Sequence, residues 1–240
     1  MRSQEAKVLP ESDYYVYAPS ALAARLYLYP ASVGYFYYDA GYRIRRNRFD
    51  SFLIMYIAKG SCSVSIPGKS FTARAGQFVL LDCYQPHSYG SAEPWDALWL
   101  HFDGRLARDY YEEIISGHDN LLVAENMEKP LAQLQKIYDV FRTSSKILEG
   151  KLSGRITKLL DNFLYSPDEN RGNKIYGSTM ADAISYINEH FQCDLSLETL
   201  AAEANMSPYH FTRVFTKETG ITPHQYLIKT RLSAAKYLLK

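Results

Sequence analysis

What this 240-residue chain has little of narrows it first. It has three cysteines, Cys62, Cys83 and Cys193, far apart and with no C-x-x-C pair. That argues against a disulfide framework or a thiolate zinc site and suits a reducing compartment. It has almost no net charge, 27 Lys and Arg against 26 Asp and Glu giving +1, so any hold on a polyanion must come from a local surface. It has no run of the ~18 apolar residues that a membrane span needs. Its N-terminal MRSQEAKVLPESDYY lacks the apolar core of a secretion signal. A cytoplasmic protein with no membrane partner is the expectation.

What the chain does have is enough apolar material for real cores, 47% of its residues, and an unusual 21 tyrosines. The plain reading of many Tyr is strands and half-buried surface; the sharper one is a pocket whose rings stack on a polar ligand. The first half carries β signals. Phe52 to Ala58 is a continuous apolar run, as in a strand covered on both faces. Cys62 to Ile66, the turn Pro67-Gly68, Lys69 to Ala73, Gln77 to Leu81, the turn Gln85-Pro86-His87 and Trp95 to Phe102 follow at close spacing. Short strands separated by Gly and Pro predict an antiparallel barrel or sandwich. From Arg105 the period changes to helical. Tyr110, Ile114 and Ile115 form one stripe, and Leu131, Leu134, Ile137, Tyr138 and Phe141 a second. Leu152, Ile156, Leu159, Leu160 and Phe163 form a third, flanked by Lys151, Arg155, Lys158 and Asp161. That third helix either packs on the barrel or pairs with its copy in a second subunit.

Ser166 to Gly177 is polar and rich in Pro and Gly, a linker. The expected organisation is therefore 1–165, a linker at 166–177, and 178–240. In the last part Met180, Ala183, Ile184, Ile187 and Phe191 mark one helix. Ser196 caps a second with Leu197, Leu200, Ala201 and Ala204 inward. Asn205 sits at a sharp turn and tolerates the left-handed conformation. Ser207-Pro208 opens a third helix, Gly220 stops it, and Thr222-Pro223 starts a fourth with Tyr226, Leu227, Leu232, Ala235 and Leu238 inward. With Phe211, Val214 and Phe215 facing the core, Tyr209, His210, Thr212, Arg213, Thr216 and Lys217 face outward. Such a face suits the major groove. Arg213 can bond a guanine edge in bidentate fashion, Thr212 and Thr216 can reach a base or a phosphate, and Lys217 suits a phosphate.

The stretch SLETLAAEANMSPYHFTRVFTKETGITPHQYL resembles the first helix-turn-helix of the AraC/XylS family of bacterial transcription regulators, over about residues 178 to 240. The resemblance implies base contacts from Tyr209, Thr212 and Arg213, with His210 and Lys217 near the phosphate backbone, and double-stranded operator DNA as partner. The family carries two such motifs joined by a long helix. Here the joining helix begins near Pro223 and the sequence stops at Lys240, so the DNA-binding part is expected to be partial.

The stretch FLIMYIAKGSCSVSIPGKSFTARAGQFVLLDCYQPHSYGSAEPWDALWLHFDG is similar to the cupin-like ligand-binding and dimerisation domain of the family's sugar-responsive members. The resemblance covers about residues 35 to 104. The fold class expected is α+β, an antiparallel cupin-like barrel with a helical dimerisation segment, followed by an all-α helix-turn-helix domain. By position the resemblance assigns Arg45, Tyr89 and Trp99 to an effector pocket. Alternation along Trp95, Ala97, Trp99 and His101 adds His101, and His87 is added beside it. It also places an interprotomer coiled coil at Leu152, Ile156, Leu159, Leu160 and Phe163, and so implies a homodimer. Metal-binding cupins use an H-x-H cluster with a Glu and a later His. His87 and His101 stand without it, so no metal and no cofactor are expected. No paired carboxylates or nucleophile–base pair point to catalysis. The function expected is a sequence-specific regulator responding to a small polar effector, a sugar by the resemblance. Coupling would run through 166–177 or an N-terminal arm at 8–17. The alternatives are a cupin-type sugar-modifying enzyme and a truncated regulator acting by dimerisation.

Overall fold

A computed structural model of the chain describes residues 5–124, 126–143, 146–164 and 180–239. The linker expected at 166–177 lies outside the described residues. Two compact units are present, Met1–Pro167 and Asp168–Lys240.

The first unit is built on two antiparallel sheets. The larger has the order β1-β2-β9-β4-β7-β10, from β1 (Asp13–Val16), β2 (Leu28–Tyr38), β9 (Trp95–Gly104), β4 (Phe52–Lys59), β7 (Phe78–Asp82) and β10 (Leu121–Leu122). The smaller has the order β3-β8-β5-β6, from β3 (Arg43–Arg46), β8 (His87–Gly90), β5 (Ser61–Ile66) and β6 (Lys69–Arg74). Helices α1 (Ala21–Leu26), α2 (Ala107–Gly117), α3 (Glu128–Arg142) and α4 (Glu149–Asp161) complete the unit.

The larger sheet is covered on both faces, which explains its unbroken apolar strands. Phe52 and Ile54 of β4, Phe78 and Leu80 of β7, and Leu98, Leu100 and Phe102 of β9 face the helices. Their neighbours Leu53, Met55 and Ile57, Val79 and Leu81, and Trp95, Ala97 and Trp99 face the smaller sheet. Side chains alternate with period two, so each strand feeds two cores at once. In β2 a bulge between Pro30 and Ser32 shifts the register against β9. The extra residue changes parity and lets Leu28 and Val33 share the helix-facing core.

The five residues expected at an interprotomer seam belong instead to this unit's own core. Leu152, Ile156, Leu159, Leu160 and Phe163 are all buried within the chain, and the Phe163 ring stands 5.3 Å from that of Phe78 on β7. The sheet offers an apolar face that the α4 stripe matches, and burying each such side chain contributes roughly 1.5–3 kcal/mol. A fully covered side chain has no surface left for a partner, so these five do not form a seam between copies.

Hydrogen bonds fix the edge strand to the helices. The Tyr138 hydroxyl donates to Asp13 Oδ1 at 2.6 Å. Glu149, in the first turn of α4, accepts from the Tyr17 hydroxyl at 2.7 Å and from the Ser20 backbone N–H at 2.8 Å and hydroxyl at 2.6 Å. Cys62 and Cys83 are buried, and burial pushes both thiols up to about 12, so neither is a reactive thiolate near neutral pH.

The described residues of the second unit form four helices: α5 (180–190), α6 (Leu197–Glu203), α7 (Pro208–Thr219) and α8 (Pro223–Leu238). Its core is Met180, Ala183, Ile187, Leu200, Ala201, Ala204, Phe211, Phe215 and Leu227. The start signals work as read. Ser196 accepts from Thr199 N–H, Ser207 from His210 N–H, and Thr222 from Gln225 N–H with a reciprocal bond from its own N–H to Gln225 Oε1. Asn205 has φ 51° and Gly220 φ 75°, the left-handed positions that make the α6–α7 turn and end α7. Arg231 donates to the Phe191 and Cys193 carbonyls, both at 2.7 Å, and so ties α8 to the end of α5.

Two expectations fail here. Leu197 is partly exposed, and Leu232, Ala235 and Leu238 of α8 are exposed. Helix α8 packs through its first turns, at Leu227, and then runs clear of the core, so helical spacing alone does not bury its later apolar residues.

Candidate effector cavity and nucleic-acid face

Between the two sheets lies a cavity of about 510 Å³. Strand β2 contributes Ser32, Phe36 and Tyr38, alternate residues on one face, and β1 contributes Tyr14 and Val16. Strand β9 contributes Trp99 and His101, β3 Arg46, and β8 Tyr89; Glu5, Tyr42 and Phe49 complete the lining. Gly34 makes room for this arrangement. A Cβ there would stand 2.6 Å from Trp99 Cζ2 and 2.7 Å from the Asp13 carbonyl oxygen, so both the indole and β1 depend on its missing side chain.

The sequence-expected residues divide. Tyr89, Trp99 and His101 line the cavity. Trp99 packs edge-on to Phe36 at 5.1 Å and to His101 at 5.6 Å, and its indole N–H is buried with no hydrogen-bond partner among the described residues. His101 shares a 2.9 Å hydrogen bond through Nδ1 with the Ser51 hydroxyl. Burial, helped by Arg46 and His87, pushes it down to about 3, so it is neutral near pH 7. Burial raises the Tyr89 hydroxyl above its usual range, and burial also raises that of Tyr42.

Arg45 and His87 are not cavity residues. Arg45 is exposed on β3, whereas its neighbour Arg46 faces inward. A slip of one residue turns a strand side chain to the opposite face. The signal was present in the sequence, since Ile44 marks the inner face and Arg46 shares it. His87 is buried outside the lining; its Nδ1–H donates to the Gln85 carbonyl at 2.8 Å, and burial lowers its pKa. Sequence reasoning missed Glu5, Tyr14, Val16, Ser32, Phe36, Tyr38, Tyr42, Arg46 and Phe49. The alternation of Ser32, Gly34, Phe36 and Tyr38 would have revealed β2. Glu5 carries no such signal.

Arg46 and Glu5 are paired in this cavity, with Nη2 3.9 Å from Oε1, and the Tyr42 hydroxyl donates to Glu5 Oε2 at 2.7 Å. The Arg46 guanidinium also lies 4.8 Å from the Phe49 ring centroid. Among the described residues no group of three or more His, Cys, Asp and Glu is placed to hold a metal ion.

In the second unit Tyr209, Thr212, Arg213, Thr216 and Lys217 line one surface hollow together with Leu197 and Pro208. Positions 209, 212, 213, 216 and 217 are spaced by three and four, so they share one face of α7. Tyr209, Arg213 and Lys217 are exposed, and the Thr212 hydroxyl donates back to the Pro208 carbonyl at 2.8 Å. His210 lies beside this hollow and is not part of its lining. No helix among the described residues is long and apolar enough to cross a membrane.

Comparison with known proteins gives both units a family. Residues 29–160 match the AraC-like ligand binding domain, and residues 187–227 match the bacterial regulatory helix-turn-helix proteins of the AraC family. The chain is 25% identical to the MmsAB operon regulatory protein of Pseudomonas aeruginosa, over 96% of this chain and 78% of that protein. It is 21% identical to the lactose operon transcription activator of Staphylococcus xylosus, over 80% of this chain and 71% of that one. Among solved structures it is similar to the AraC-like transcriptional activator CuxR, with a TM-score of 0.46 and 13% identity over 93% of this chain and 86% of that one. The two family matches cover more than half of the chain between them and join a ligand-binding domain to a helix-turn-helix, so the chain belongs to the AraC family of transcriptional regulators.

Proposed function

We propose that the regulator senses a small polyhydroxylated molecule, a carbohydrate or a close derivative, in the cavity between its two sheets. The observation that carries this reading is the lining: Trp99, Phe36, Phe49 and Tyr89 offer ring faces, while Ser32, Tyr42, Arg46 and His101 offer hydrogen bonds. Rings cover the apolar faces of a sugar and polar groups fix its hydroxyls. A volume of about 510 Å³ suits a small ligand. The name of the Staphylococcus xylosus relative, a lactose operon activator, supports a carbohydrate.

Sequence-specific reading of operator DNA falls to the outer face of α7. Arg213, with Tyr209 and Thr212, reads base edges; Lys217, Thr216 and His210 hold the backbone. Effector occupancy would reach the helices through β1, whose Tyr14 and Val16 line the cavity while Asp13 on its other face bonds Tyr138 of α3. Two copies reading two half-sites would meet through surfaces other than Leu152, Ile156, Leu159, Leu160 and Phe163.

The test is thermal melting of the full chain against a carbohydrate panel. A ligand of the folded state raises Tm in a concentration-dependent way, by about 2.7 kcal/mol of stabilisation at a hundred times its Kd. The shift should vanish in Trp99→Ala. A flat response across neutral and acidic sugars alike would overturn the sensor reading.

A further inference from the structure

The charge in the lining of the cavity is held in one pair. Its described residues include one cation, Arg46, and one carboxylate, Glu5. The other polar members are neutral, and their hydroxyls and the imidazole can donate or accept. His101 is uncharged, and the tyrosine hydroxyls of Tyr38, Tyr42 and Tyr89 all have their pKa raised and stay protonated. Trp99 is more than nine-tenths buried, and its indole N–H, which can only donate, has no acceptor among the described residues.

Glu5 reaches this cavity from the segment before β1. Its carboxylate takes the Tyr42 hydroxyl at 2.7 Å but stands 3.9 Å from Arg46. Charge-assisted bonds of guanidinium to carboxylate are usually about 2.7–2.9 Å, so the Arg46–Glu5 pair is loose. Both partners are also partly open to solvent, at 28% and 42% of their side-chain surface, and pairs of that kind are weak. The Arg46 fork is therefore not saturated by Glu5, and a better-placed anion can take it.

We propose that the effector carries a carboxylate, as in a sugar acid, and that this group replaces the Glu5 carboxylate on Arg46 and Tyr42. Glu5 is then an internal occupant that the effector displaces, and the remainder of the ligand lies against Trp99 and His101. The proposal rests on the reading of this cavity as the effector site and names the chemical class that enters it.

Isothermal titration of the full chain with D-glucuronate and D-galacturonate, each beside its neutral parent sugar, tests it at pH 7. At least one acid should bind about tenfold or more tighter than its parent, the size of one hydrogen-bonded charge. Glu5→Gln removes the competing charge and should raise acid affinity severalfold relative to that of the neutral parent sugar. Arg46→Gln should lose the acid preference. Its folding is checked by its melting curve, and Glu5→Gln, a partly exposed site, gives an answer even if Arg46→Gln does not fold. Neutral sugars binding as tightly as the acids, or acid affinity unchanged or weakened in Glu5→Gln, would overturn the carboxylate while leaving the cavity a sugar site. If neither acids nor parents bind, the effector reading falls with it.

Discussion

The cavity and the outer face of α7 present the same three residue types in opposite states. Arg46, His101 and Tyr89 line a partly open space between sheets, while Arg213, His210 and Tyr209 stand on one short helix at the surface. Tyr89 is 7% exposed and Tyr209 81%. Inside, burial has already altered the chemistry: His101 is neutral and the Tyr89 hydroxyl stays protonated. Their geometry is set by neighbours, so little ordering is left for a ligand to do. Outside, Tyr209 and Arg213 are exposed and His210 is half-buried. A change in the first region disturbs the fold as well as the cavity; a change at an exposed position in the second should leave the fold intact.

The largest effect that sharpens this contrast comes from α4. Ile156→Ala removes a fully buried side chain from the sensor core, and such truncations cost about 2–5 kcal/mol. Urea denaturation should show the loss unchanged between dilute and concentrated protein, because the contact is within one chain. A loss seen only on dilution would return this helix to an intersubunit seam. Arg213→Ala, by comparison, should leave the urea midpoint within the ~0.5 kcal/mol typical of surface changes.

The next effect is a pH dependence that belongs to the cavity. The folded state holds His101 down to about 3, from an ordinary value of 6.5. The unfolded chain therefore binds a proton that the folded chain refuses. Stability from this group is fully present above about pH 6.5 and is lost as pH falls toward 3, with a slope of up to about 1.4 kcal/mol per pH unit. Guanidinium titrations between pH 7 and pH 4.5 should show this decline in the wild type and a shallower one in His101→Gln. Equal slopes in the two proteins would mean that His101 is protonated when folded.

The helix-turn-helix was legible in the sequence because its signals are local. Ser196, Ser207 and Thr222 cap the helices that follow them, and Asn205 and Gly220 take the turns assigned to them. The sheet was legible where both faces are covered, as in β4, β7 and β9. It was harder to read in β2, where Pro30, Gly34 and four tyrosines dilute the apolar pattern and the bulge before Ser32 confines the alternation to Ser32–Tyr38. The cavity suffered most, because it is assembled from strands distant in sequence. A single-residue step separates Arg45 from Arg46, and no local pattern links Glu5 to either. The fate of α4 shows the same limit, since an apolar stripe reports that a helix is buried and not by what.

The smallest effects separate two roles on the exposed face. Arg213 and Lys217 are four residues apart on α7, both exposed and both lining the same hollow, so bulk charge treats them alike. If Arg213 reads a base edge, Arg213→Ala should cost about 1–3 kcal/mol on the preferred operator and flatten preference at one base position. Lys217→Ala should weaken preferred and random duplexes by a similar factor and lower the slope of log affinity against log salt by about 1. Fluorescence anisotropy with both duplexes at several salt concentrations distinguishes the two patterns. If both variants lose the same affinity on every duplex, with the same change in slope, α7 holds DNA by charge alone and the base-reading role of Arg213 falls.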